Sequence, residues 1–189
     1  MKTALILVDI QKDYFPKGRM EVAGAAEAAQ MASRLLDHFR RHGLPVVHIQ
    51  HIAARPGATF FLPNTEGVRF HETVQPVSGE VVIQKHFPNS FRDTGLEEQL
   101  CSNKTKDLVV CGMMSHMCID ATVRAAFDKG YACTVAHDAC ATRSLEHEGS
   151  TIPSAHVHGA FMSALSAVYA RVMPVNDILH TLQSNGWNK

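Results

Sequence analysis

DLVVCGMMSHMCIDATVRAAFDKG, residues 107–130, decides the fold. Its opening, DLVVCG (107–112), is a short apolar run of the kind that forms a buried strand, and HMCIDATVRAAFDKG (116–130) reads as a helix. The same alternation recurs on both sides. ALILV (4–8) leads to a helix over 25–42, LPVVHIQ (44–50) to a long irregular stretch, and VVIQ (81–84) to a short helix over 95–101. Beyond the central stretch, YACTVA (131–136) precedes a helix over 153–166, and AVYARVM (167–173) precedes a last helix over 175–184. Six strands alternating with helices predict an α/β fold with a doubly wound, mainly parallel sheet and helices on both faces. With no repeat or low-complexity run, 1–189 reads as a single domain.

Chemistry gathers where strands end. Cys118 stands where the strand passes into the helix, and Ser115 as N-cap would place it in the first helical turn. Backbone N–H groups at that end favour a thiolate, so a lowered thiol pKa is expected. The competing reading is a small buried core residue. ALILVD (4–9) ends in Asp9 and EVVIQK (80–85) in Lys85, which puts both charges at the carboxyl ends of apolar strands. In an open parallel sheet those ends border the ligand crevice. A cation beside a thiol holds the thiolate, and a carboxylate accepts its proton.

Three blocks, LVDIQKDYF (7–15), KHFPNSF (85–91) and VVCGMMSHMCIDATVRAA (109–126), in this order resemble the isochorismatase-like cysteine hydrolase family. The resemblance spans nearly the whole chain. It implies Asp9 as general base, Lys85 as the cation stabilising the thiolate and Cys118 as the nucleophile. It further implies a cis peptide between Met113 and Met114, an oxyanion hole formed by the N–H groups of Met114 and Cys118, and substrate contacts from Phe15 and Phe91. The implied reaction is hydrolysis of a small amide, ureido or lactam bond through a thioester, without a cofactor. A homo-oligomer is implied as well.

Metal-binding nicotinamidases of the family carry an Asp-x-His signature just after the second strand. Here those positions hold His51 and Ala53, so neither a metal nor nicotinamide is expected. Twelve histidines nevertheless include a loose group of His48, His51 and His71.

Composition narrows the partners. Eighteen basic residues balance eighteen acidic ones, so no net field draws the protein to nucleic acid or an anionic membrane. No apolar run approaches the roughly 20 residues of a membrane span, and the start MKTALILVDI reads as neither signal peptide nor anchor. Five cysteines with no CxxC pair argue against a disulfide framework, and a reducing cytoplasm fits. The expected partner is a small-molecule substrate.

The stretch 52–79 is long for an unstructured connection and is expected to shape the site. Phe60 and Phe61 within it are either pocket walls or anchors that pin the loop to the core. Arg19, Arg55, Arg69 and Arg92 are candidates for a substrate carboxylate or for solvent. Two further functions stay open: a redox-responsive or ligand-binding protein that keeps the fold without turnover, and, more weakly, isochorismate cleavage, whose family practitioners lack the cysteine.

Overall fold

The computed structural model describes residues 2–184, so the ends of the expected 1–189 domain lie outside the described residues. Six strands form one sheet: β1 (Lys2–Val8), β2 (Val46–His51), β3 (Val81–Lys85), β4 (Thr105–Met113), β5 (Ala132–Ala141) and β8 (Arg171–Met173). Their spatial order is β3-β2-β1-β4-β5-β8, and every neighbouring pair is parallel. Around the sheet lie α1 (Ala25–Arg41), α2 (Leu96–Ser102), α3 (Asp120–Asp128), α4 (Ser154–Val168) and α5 (Val175–Ser184).

The order follows from the chain's crossings. From β1 the chain steps outward through β2 to β3, then returns past its start to β4 and continues to β5 and β8. Right-handed crossovers in opposite directions put their helices on opposite faces. The direction reverses between β1 and β4, and at such a switch point the strand ends separate into a crevice. Asp9 follows β1 and Cys118 follows β4, so both flank this opening.

The central strands are apolar because both their faces are covered. Ala4, Leu5, Ile6, Leu7 and Val8 of β1 are all at most 2% exposed, as are Leu108, Val109, Val110 and Cys111 of β4. Helix α1 presents Ala28, Ala32, Leu35, Leu36 and Phe39 at helical spacing to this core, its alanines allowing close approach. Gly112 lies opposite Val8 at the switch, with φ 127°. A Cβ there would stand 2.0 Å from the Val8 carbonyl oxygen, so only glycine lets the two strand ends meet.

Two elements depart from the sequence reading. The stretch 167–173 is not all strand: α4 continues through Val168, Tyr169 stays helical in backbone, and only Arg171–Met173 pairs with β5. Nothing in AVYA breaks a helix, and the Tyr169 ring packs edge-on to Phe127 and under Arg124. The segment before α4 is a hairpin of β6 (Leu145–His147) and β7 (Ser150–Ile152). Its two turn residues, Glu148 and Gly149, both have positive φ (48° and 75°), which is the turn that matches the twist of a tight hairpin.

Strand β3 is an edge, held by a charged cluster below it. Glu80 receives two hydrogen bonds from Arg40, at 2.7 and 2.8 Å, and lies 2.8 Å from Nε2 of the fully buried His48. Burial alone would raise the Glu80 pKa; Arg40, the Val77 N–H and His48 outweigh it and bring it from 4.5 down to about 2. Because the folded-state pKa is depressed, the stabilisation is full above the unfolded value and is lost as pH falls from about 5 toward 2. At about 1.4 kcal/mol per pH unit the linkage is roughly 3 kcal/mol. Glu80→Gln is expected to lose about 2 kcal/mol at pH 7 in urea unfolding, with the difference from the wild type closing by pH 2 to 3. A deficit independent of pH would refute this account.

Candidate active site

Asp9 directly follows β1, with φ 51° and no exposed surface. Its N–H donates to the Ile49 carbonyl at 3.1 Å, which turns the side chain off the strand end and over the crevice. Lys85 is the last residue of β3 and 1% exposed. Its Nζ stands 2.8 Å from Asp9 Oδ2 and donates to the carbonyl oxygens of Phe87 and Pro88, each at 3.1 Å. The loop after β3 thus folds back to supply the ammonium's remaining acceptors. That loop is tied to α3 by Ser90, whose N–H donates to Thr122 Oγ1 at 3.1 Å.

Cys118 is reached through a wide turn. Ser115–Ile119 forms one π-helical turn, closed by the Ile119 N–H on the Met114 carbonyl at 3.2 Å, and α3 begins only at Asp120. This corrects the expectation for Ser115. The cap position is Met114, and the Ser115 hydroxyl lies 2.8 Å from His158 Nδ1 and donates to the Ala141 carbonyl at 3.3 Å. The Met113–Met114 peptide is cis. Met114 and Cys118, whose N–H groups the resemblance assigned to an oxyanion hole, are both buried at the mouth of β4.

The sulfur of Cys118, a carboxylate oxygen of Asp9 and a ring nitrogen of His51 all lie within 4.8 Å of one another. His51 was not placed in the site by sequence reasoning. Its Nδ1 is 3.3 Å from Lys85 Nζ and 3.8 Å from Asp9 Oδ2. Gln11 fixes it: Gln11 Oε1 accepts from the His51 N–H at 2.8 Å, and Gln11 Nε2 donates to the His51 carbonyl at 2.9 Å. The period-two pattern of β2 places residue 51 at a strand end, but the clamp spans 40 residues and leaves no local signal.

Electrostatically the group holds one cation and one anion. Burial works against the Asp9 carboxylate, yet Lys85 and then His51 more than offset it, and its pKa is lowered. Burial also works against the Lys85 ammonium, and Asp9 and Cys118 reverse that, so its pKa is raised. The Cys118 thiol goes the other way from the sequence expectation. Burial pushes its pKa up, the Asp9 charge adds to this, and Lys85 only partly opposes. The resting state is a carboxylate, an ammonium and a neutral thiol.

Asp9, His51 and Cys118 also form, among the described residues, the one set of three potential metal ligands. They do not fit a metal, because the Lys85 ammonium, 2.8 Å from Asp9 Oδ2 and 3.3 Å from His51 Nδ1, already supplies the cation there. His48 and His71 are elsewhere, His48 against Glu80 and His71 stacked 3.7 Å from the Phe15 ring.

A cavity of about 330 Å³ adjoins the group through His51 and Met117, with Phe60, Phe61 and Phe87 as walls. The loop 52–79 shapes it, through an anchor absent from the sequence reading. Buried Asp13 accepts the Phe61 N–H at 2.6 Å and the Arg19 N–H at 3.1 Å, holding Phe61 at φ 54°. Tyr14 packs behind, 4.6 Å from the Phe61 ring. The other two aromatic candidates do not line this cavity: Phe15 is buried against His71, and Phe91 stacks on Tyr131 at 6.0 Å. Cys140 belongs to β5 and borders a separate hollow beside Gly24 and His158. Among the described residues no helix is long and apolar enough to cross a membrane.

The chain has known relatives. The Isochorismatase domain profile matches residues 3–166. The isochorismatase family protein YddQ of Bacillus subtilis is 56% identical over 172 residues, 91% of this chain and 96% of its own. A streptothricin hydrolase of Streptomyces noursei is 37% identical over 155 residues, 80% of this chain and 55% of its own. The crystal structure of an isochorismatase hydrolase from Oleispira antarctica superposes with a TM-score of 0.91 at 48% identity, covering 95% and 96% of the two chains. The chain belongs to the isochorismatase family of hydrolases.

Proposed function

We propose that the protein hydrolyses a C–N bond of a small amide, ureido or lactam substrate through a thioester on Cys118. The observation that carries this is the juxtaposition at the site: the buried Lys85 ammonium 2.8 Å from the Asp9 carboxylate, with the Cys118 sulfur within 4.8 Å of an Asp9 oxygen. Moving the thiol proton to Asp9 converts carboxylate and thiol into carboxylic acid and thiolate. The total charge around Lys85 is unchanged, so no new buried charge is created. The elevated thiol pKa is therefore compatible with a nucleophile, provided the proton moves to Asp9 as sulfur attacks.

The sequence of steps follows. The thiolate adds to the substrate carbonyl, and the N–H groups of Met114 and Cys118 are assigned to the oxyanion. Protonated Asp9 returns its proton to the leaving nitrogen as the C–N bond breaks, which leaves a thioester and the released amine or ammonia. Water then gives a proton to Asp9 and attacks the thioester, the C–S bond breaks, and Asp9 passes the proton to the departing sulfur, which releases the acid and restores both thiol and carboxylate. A streptothricin hydrolase among the relatives supports hydrolysis as the reaction type.

The test is an amide panel read for released ammonia or amine, with hydroxylamine added during turnover. Hydroxylamine is expected to divert product to the hydroxamate, and rapid quenching to reveal an acyl mass on the peptide holding Cys118. Steady turnover with neither signal counts against the thioester.

A further inference from the structure

The lining of the cavity beside the site is uneven in a way that selects a substrate. Its walls are alanine, phenylalanine, proline and methionine, and only three lining side chains bring polar atoms: His51, His86 and Arg55. No carboxylate, hydroxyl or carboxamide side chain lines it among the described residues. Two of the three polar side chains are already committed. His51 turns Nδ1 to Lys85, and His86 donates from Nδ1 to the Ile52 carbonyl at 2.8 Å.

Arg55 is different. Its guanidinium makes no hydrogen bond, ion pair or ring contact among the described residues, although its backbone is held. The Arg55 carbonyl accepts from the Ala58 N–H at 3.3 Å, and the loop is closed across its base by the Ala53 N–H on the Phe61 carbonyl at 2.9 Å. The loop that forms the aromatic wall therefore also carries an unneutralised cation at the cavity. A guanidinium offers a planar pair of donors matched to a carboxylate, and Arg55, itself exposed, brings that pair to the cavity lining.

Building on the hydrolase reading, we infer that the substrate is an amide with a flat apolar or aromatic body and a carboxylate remote from the scissile bond, which Arg55 binds. The amide end reaches the Asp9, Lys85 and Cys118 group past His51, the body lies against Phe60, Phe61 and Phe87, and the carboxylate meets Arg55. A volume of about 330 Å³ accommodates a body of one ring with its substituents. A cationic substituent in the same place would face the guanidinium with no acid in the lining to offset it.

Three probes of similar size separate the possibilities: 4-carbamoylbenzoate, benzamide and 4-(aminomethyl)benzamide. Their binding is measured by calorimetry on the full chain carrying Cys118→Ala, with and without Arg55→Ala or Arg55→Lys. The carbamoylbenzoate is expected to bind at least tenfold more tightly than benzamide, and the aminomethyl compound more weakly than either. Arg55→Ala should bring carbamoylbenzoate and benzamide to equal affinity, while Arg55→Lys keeps part of the difference. A preference for benzamide or for the cation, a carboxylate preference that survives Arg55→Ala, or no binding of any probe overturns the inference. Ammonia release from 4-carbamoylbenzoate by the unmutated protein is read separately. Tight, Arg55-dependent binding without ammonia release leaves the anion site standing and counts against the hydrolase reading.

Discussion

Cys118→Ala is expected to lower kcat for any amide substrate by at least about a thousandfold, because nothing else at the site can form the acyl intermediate. The loss should come with little change in KM, since Cys118 is not among the residues lining the cavity and is only 4% exposed. Asp9→Asn should be nearly as damaging, for a carboxamide cannot take the thiol proton, and the thiolate would then have to form as an additional buried charge. The two losses should not multiply in the double variant, because both remove the same proton-coupled step. Released ammonia, followed with each variant at matched enzyme concentration, is the measurement. Hydrolysis by Cys118→Ala within tenfold of the parent would sink the mechanism. The raised thiol pKa adds a second check on the free enzyme. Alkylation of Cys118 by iodoacetamide at pH 6 should be no faster than that of an ordinary thiol of pKa about 8.5, and should climb with pH.

The sequence was a sufficient guide to the placement of the site but not to its electrostatics. The convergence of Asp9, Lys85 and Cys118 was legible because Asp9 and Lys85 stand where apolar strands stop and Cys118 lies a few residues beyond the end of a third, and strand ends in a parallel sheet share one side. The thiol's electrostatics were not legible, because a helix start supplies amides to a thiol but says nothing of how deeply the thiol is buried. In the structure Cys118 precedes α3 in a separate wide turn, and its surroundings are dominated by desolvation and by Asp9. Gln11, Asp13 and His51 were missed for a related reason. Their partners, His51 and Val68 for Gln11 and Phe61 for Asp13, lie 40 to 57 residues away along the chain, mostly in the irregular stretch. Phe60 and Phe61, by contrast, sat in a loop whose length alone pointed to the site. The fold was recovered through its strands, and the error at 167–173 came from a run that is apolar enough for a strand but has no residue to end the helix before it.

Lys85→Met is expected to separate the stabilising role of the ammonium from its chemistry. The substitution keeps most of the length of the side chain and removes the cation from beside a carboxylate that is wholly buried. Removing one partner of a buried pair typically costs about 3 to 5 kcal/mol, because the other charge is left without compensation. The sign of the pH dependence follows from Asp9. In the wild type Lys85 holds the Asp9 pKa down. Without it, burial dominates and raises that pKa above the unfolded value of about 3.9. The deficit of Lys85→Met should therefore be small near pH 4, where the carboxyl is protonated, and should grow as pH rises through the new folded-state pKa. Urea unfolding at pH 4, 6 and 8 reads this directly, and a variant as stable as the parent at pH 8 would contradict it. Adding Asp9→Asn should restore much of the stability, since the pair is then replaced by neutral groups, and should restore no turnover. Recovery of stability without activity would mean that the ion pair is retained for the thiol beside it, and that the cost of burying two charges is tolerated because a single negative charge must be able to move between Asp9 and Cys118.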